Sequence, residues 1–212
     1  MSIKAYNPVI YQKLGDIGAQ SKVITRQDID GLGKIIVKHG YGNHVCVVIA
    51  HRHFDLDDSE VMYEVVDSDR RISQPRPLFD ILAEKAQPNL LSCSLDGFWY
   101  PVGYEESAEV LPAWNDKIFL AEAAKYLINA NLVDKLAIAS RRSADLKNDG
   151  IVFVEENLSA SRKSIVRPTS PKEMIGIDAI PTTYAFTING TVNEESCVVC
   201  VCIVNDQTGH SK

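Results

Sequence analysis

The sequence predicts an α+β fold, a curved and largely antiparallel sheet with two main helices packed on it. Three observations carry this. Apolar residues recur at helical spacing in two long stretches, TRQDIDGLGKIIVKHGYGN and WNDKIFLAEAAKYLINANL. Short β-branched runs fill much of the remainder, and LLSCSLDGFWYPVGY places Asp96-Gly97 between apolar residues, a strong signal for a tight turn between antiparallel strands.

In chain order, Thr25 and Asp28 form a capping-box pattern, and Ile29, Leu32 and Ile36 supply the buried stripe before Gly40 stops the first helix. His39 falls in its last turn, where a cation suits the helix dipole. HVCVVIAHRHF and EVMYEVVD then read as two strands joined by the acidic loop DLDDS, closing as a hairpin. The prolines of RRISQPRPL predict an edge strand. Asn115 is the expected cap of the second helix, whose Phe119, Ala123, Leu127 and Ala130 should bury one stripe against the sheet. Strands follow at KLAIAS, GIVFVEE, KSIVRP, TYAFTI and SCVVCVCIV, and the proline-bounded stretch 167–181 reads as an exposed connection. The expected organisation is a single domain over 1–212, with a C-terminal hairpin at 182–205 completing the sheet.

Composition narrows the function. With 212 residues, 45% of them apolar and 24% charged, the chain can bury a sizeable core. A net charge of −6, with acids scattered among 22 Lys and Arg, leaves no basic stripe for a phosphate backbone, so no nucleic-acid partner is expected. No run approaches the roughly 20 apolar residues of a membrane span, and the N-terminal stretch lacks a signal-peptide core. An intracellular, cytoplasmic protein is therefore expected. An odd number of cysteines, five, with three in a Val-rich strand, argues for free thiols rather than a disulfide framework. The sequons at Asn157 and Asn189 read as chance matches in that setting.

Several motifs fail on inspection. GLGK at 31–34 lacks the preceding strand and the spacing of a phosphate-binding loop, DLDDSE is too short and lacks the glycine of a calcium loop, and no G-x-S-x-G elbow occurs. The CVVCVC run has valines where a zinc knuckle needs a turn, although Cys200 and Cys202 share one strand face and could reach a neighbouring cavity as soft ligands.

The informative stretch is VCVVIAHRHFDLDD. Counting by twos puts Val45, Val47, Ile49, His51 and His53 on one face, so that the two imidazoles continue a core-facing row about 6.5 to 7 Å apart. Closing the expected hairpin sets Glu64 opposite His51, and a one-residue slip sets Tyr63 there instead. His51, His53 and Glu64, or Tyr63 in its place, then form a candidate catalytic set, with His51, His53 and Glu64 as candidate ligands for a divalent zinc or iron ion. Two functional classes follow. One is a small-molecule enzyme with a pocket at the open end of the sheet, metal-assisted or acid–base. The other is a non-catalytic ligand-binding or protein-interaction module in which the histidines are structural.

Overall fold

The computed structural model describes residues 2–67, 70–107, 109–141, 151–177, 179–193 and 201–203. Its main element is a curled, mostly antiparallel sheet with helices packed on it, the α+β class read from the sequence. The strands are β1 (Val45–Ile49), β2 (Glu60–Asp67), β3 (Arg70–Pro77), β4 (Gln87–Cys93), β5 (Trp99–Glu105), β6 (Leu136–Ser140), β7 (Val152–Leu158), β8 (Lys163–Thr169), β9 (Ala179–Pro181), β10 (Thr183–Tyr184) and β11 (Val201–Ile203). Their order in the sheet is β10-β1-β6-β4-β5-β2-β3-β8-β7-β11-β9. The two ends of this list, β9 and β10, are separated in the chain by Thr182 alone. The sheet must therefore curl until its first and last strands meet in one segment, and the buried Thr182 accepts a hydrogen bond from Ile49 N–H at 2.8 Å where they do. The curl creates an inner face, and the site lies on it.

Five α-helices occur among the described residues: α1 (Pro8–Gln12), α2 (Ile17–Gln20), α3 (Arg26–Lys38), α4 (Leu78–Ala83) and α5 (Lys117–Asn129). The two long ones cover the outer face. α3 begins with both reciprocal hydrogen bonds of the Thr25–Asp28 capping box. Its Ile29, Leu32 and Ile36 pack with Phe119, Leu120, Ala123 and Leu127 of α5 onto Val45, Val47, Ile49, Leu91, Leu136 and Ile138 of the sheet. Trp99 Nε1 donates to Leu120 O at 2.9 Å, pinning α5 to β5, and Tyr126 donates to Asp28 O at 2.9 Å, joining the two helices. His39 caps the end of α3, and its Nε2 lies 2.8 Å from a Glu122 carboxylate oxygen of α5, joining the two helices. α1 lies against the inner face, where Ile10, Tyr11 and Leu14 meet Ala50, Phe54, Met62, Val102 and Ala137.

Several details differ from the local reading, each for a physical reason. α5 is capped by Asp116, whose carboxylate accepts from Ile118 and Phe119 N–H, because Asn115 belongs to the preceding 3₁₀ turn. The buried stripe ends at Leu127, since Ala130 is the exposed C-cap. β3 is internal, not an edge: β8 pairs only with Arg71–Ser73, so Pro75 and Pro77 fall where β3 has β2 alone as partner and no N–H is missed on the other side. Of the expected hairpin at 182–205, residues 194–200 and 204–205 lie outside the described residues; among those described, Thr183–Tyr184 pairs with β1, and Val201–Ile203 lies between β7 and β9, antiparallel to the latter. The Asp96-Gly97 turn is present, with Gly97 at φ 81°, a conformation that favours glycine. Among the described residues no helix is long and apolar enough to cross a membrane.

Candidate metal centre

β1 brings the chain to the inner face and then releases it. Val45, Val47 and Ile49 face the helices, while Cys46 and Val48 line the inside of the curl. The ladder ends at Ile49, and with it the alternation. Ala50 N–H donates to Lys135 O at 2.8 Å, and the chain leaves the sheet. His51 and His53 consequently do not continue the Val45–Ile49 row; both turn into the inner cavity.

Their environment is specific. His51 is 7% exposed, and its Nδ1 donates to Ile49 O at 2.8 Å. A carbonyl can only accept, so the neutral ring carries its lone pair on Nε2. Such a bond to backbone is how many metal-binding imidazoles are oriented. The His53 ring stands 4.4 Å from that of His51, at 70°, and its Nε2 lies 3.2 Å from Glu155 Oε1. Glu155, in β7, is itself buried and accepts a hydrogen bond from Ser164 of β8. His53 Nδ1 is buried and has no hydrogen-bond partner among the described residues.

One nitrogen from each histidine and one carboxylate oxygen of Glu155 lie within 4.8 Å of one another, so this group can hold a metal ion. Ligand atoms bound to one ion at about 2.0 to 2.2 Å in tetrahedral geometry stand roughly 3.3 to 3.6 Å apart. The His53–Glu155 separation of 3.2 Å is already near that value. The widest pair needs a closure of only about 1 to 1.5 Å, within reach of small side-chain rotations.

A clamp holds the two halves of the site together. Arg162, at the β7–β8 turn, donates to Glu60 at 2.7 and 3.1 Å and to the Asp55 carbonyl. It thereby ties the loop carrying His51 and His53 to the hairpin carrying Glu155. The Arg162 guanidinium holds the Glu60 carboxyl below the usual carboxylate range. Tyr11 lines the same cavity, and burial pushes its hydroxyl up to about 12, an effect only partly offset by the backbone N–H groups of His53 and Phe54. It is therefore a protonated phenol at neutral pH.

The third group differs from the expected one. β1 and β2 do not pair; β1 pairs with β6 and β10, and β2 with β3 and β5. Glu64 is thus not opposite His51, although it lines the same cavity and accepts from Ser73 at 3.4 Å. Tyr63 points the other way, into a cluster with Val61, Ile81 and Ala86, with the Arg76 guanidinium 4.9 Å above its ring. Cys200 lies outside the described residues; Cys202 lies in β11, where its backbone pairs in register with Glu155. Local pattern reading missed Glu155. The available signal was Glu155-Glu156 within a Val-rich strand, since two consecutive acids on a strand point to opposite faces and one must turn inward.

The chain matches no family model, and comparison with curated proteins and with solved structures finds no match.

Proposed function

We propose that this protein is a metal-assisted enzyme acting on a small molecule inside the curled sheet, with His51, His53 and Glu155 holding a divalent zinc or iron ion. The observation that supports this most is the convergence of three ligating side chains from two distant segments on the inner face of one cavity. Structural zinc sites are closed by four protein ligands, whereas a set of two histidines and one carboxylate leaves coordination positions open. Such an ion, when bound by these residues, would supply Lewis acidity and would lower the pKa of a coordinated water towards about 7. The protein's own groups supply the rest. The Ile49 carbonyl fixes the His51 tautomer, Ser164 orients Glu155, and Tyr11 offers a phenolic proton to a molecule in the cavity.

A second reading has one observation in its favour. The His53–Glu155 contact of 3.2 Å is also a good ion pair. A metal-free binding module would use it to satisfy both groups. Elemental analysis and cobalt substitution separate the two. The enzyme reading expects about one ion per chain and a cobalt absorption band that responds to small ligands entering the open positions. Protein that takes up no zinc, iron or cobalt would favour the binding module.

A further inference from the structure

We propose that the cavity takes a small uncharged molecule of about six heavy atoms, with an oxygen at the ion and, at its far end, a hydroxyl or N–H group that donates to Asn89. The oxygen end rests on the metal-centre reading above; the Asn89 end stands on the sheet alone. Size sets the first limit. The cavity is about 150 Å³. That volume accommodates a benzene-sized molecule and is below the roughly 300 to 1,000 Å³ of sites for drug-sized ligands.

An irregularity in the sheet aims Asn89 into the cavity. Pro88 pairs with Tyr104 and Leu90 with Gly103, which leaves Asn89 as an extra residue in β4 without a register partner on β5. Consecutive residues of a regular strand point to opposite faces, yet Asn89 and Leu90 both line the cavity. Such bulges re-aim side chains and recur beside active sites. The strand is held just before the bulge, where Trp114 Nε1 donates to Pro88 O at 2.9 Å. Across from it, Gly103 leaves the space that the amide uses, since a Cβ there would stand 2.8 Å from Asn89 Oδ1. The oxygen so placed is buried and has no hydrogen-bond partner among the described residues. Buried side-chain acceptors are nearly always paired, so this one calls for a donor from a molecule in the cavity.

Position makes Asn89 the far end of the site. In the sheet order β4 lies five strands from β7 by way of β5, β2, β3 and β8, and six the other way, through β6, β1, β10, the Thr182 closure, β9 and β11. Asn89 and Glu155 are therefore on opposite walls of the curl. The lining also includes Val48, Met62, Leu90, Val102 and Ala139, which suit a short carbon chain joining two polar ends. At the near end Tyr11, whose hydroxyl sits beside the His53 backbone N–H, adds a donor for the oxygen at the ion.

Charge completes the description. Among the described residues the formally charged side chains lining the cavity are Glu64, Glu155 and Arg71. Each is already engaged within the protein: Glu64 accepts from Ser73, Glu155 accepts from Ser164, and Arg71 likewise has a partner. What meets the ligand's far end is thus a neutral amide oxygen. A hydroxyl or N–H group matches it, whereas a carboxylate there would be desolvated without a counter-charge.

Calorimetric titration of zinc-loaded and metal-free protein tests this with ketones that differ at the far end alone. 4-Hydroxybutan-2-one carries a hydroxyl there, pentan-2-one a methyl group and acetoacetate a carboxylate. The zinc-loaded protein should bind the hydroxyketone roughly tenfold more tightly than either of the others, the worth of one hydrogen bond to a buried acceptor. Asn89→Leu should abolish that preference and leave zinc affinity unchanged. Gly103→Ala, whose added methyl group displaces the Asn89 amide, should do the same with Asn89 intact. Urea unfolding identifies which variants are folded. If zinc binds but the hydroxyketone gains nothing over pentan-2-one, or acetoacetate binds best, the proposal is overturned and the metal centre stands. Survival of the preference in a folded Asn89→Leu or Gly103→Ala protein overturns it equally. An Asn89-dependent preference in protein that takes up no ion would overturn the metal centre and keep Asn89 as the ligand's partner. Protein that takes up no ion and shows no preference would overturn both.

Discussion

Removing the Arg162 guanidinium should loosen the site without touching a ligand. Arg162 makes hydrogen bonds of 2.7 and 3.1 Å to Glu60 and a further one to the Asp55 carbonyl. Hydrogen bonds to charged groups contribute about 1.5 to 3 kcal/mol when buried, and exposed ion pairs about 0.2 to 1. The Arg162 side chain is 40% exposed and that of Glu60 18%, so the clamp falls between these limits. Arg162→Ala should therefore cost about 1 to 2 kcal/mol in chemical denaturation. Arg162 also has φ 51°, in the left-handed region. Glycine carries no Cβ penalty there, so Arg162→Gly should be about 1 kcal/mol more stable than Arg162→Ala while losing the same clamp. Zinc affinity should fall roughly tenfold in both, because the two histidines are no longer tied to the hairpin that carries Glu155. Wild-type stability and wild-type zinc affinity in the alanine variant would refute the idea that this contact assembles the site.

Three further outcomes are expected. Phe119 is fully buried between α3, α5 and the sheet, so Phe119→Ala should lose roughly 3 to 5 kcal/mol in urea unfolding, and a loss below about 1 would mean the helix is not packed as described. The Glu60 carboxyl is held below its ordinary value of 4.5, chiefly by Arg162, so its stabilising contribution is complete above that value and is lost as pH falls through the folded-state value. The stability gap between wild type and Arg162→Ala, followed by denaturation across acid pH, should accordingly narrow below about pH 4.5 and stay constant from pH 5 to 7. Burial pushes the Cys93 thiol up to about 12, so it should resist alkylation at pH 8 in the native protein and react promptly in denaturant; prompt native labelling would contradict its place in the core.

What could be read locally was what local chemistry determines. The Thr25–Asp28 box, the Asp96-Gly97 turn and the stripe from Phe119 to Leu127 each depend on a few neighbouring residues, and each is present. Strand pairing depends on residues far apart in the chain. The acidic loop 55–59 looked like a hairpin connection, yet β1 is claimed by β6 and β10 because their apolar faces complete the layer under α3 and α5. The two histidines were legible as a pair, but their side of the sheet was not. Alternation is a property of a paired strand, and pairing stops at Ile49, two residues before His51. Glu155 could not be matched to them from spacing at all. Only the curling of the sheet, closed through Thr182, brings β7 to the end of β1.

The central claim is that His51, His53 and Glu155, not Glu64, hold one ion. Equilibrium dialysis against zinc, with bound metal counted per chain, compares the wild type with His51→Gln, His53→Gln, Glu155→Gln and Glu64→Gln. The account predicts about one ion per chain in the wild type and in Glu64→Gln, with affinity reduced by more than roughly 100-fold in each of the other three while thermal unfolding still shows a folded protein. Wild-type affinity in Glu155→Gln, or no stoichiometric ion in the wild type, would contradict it.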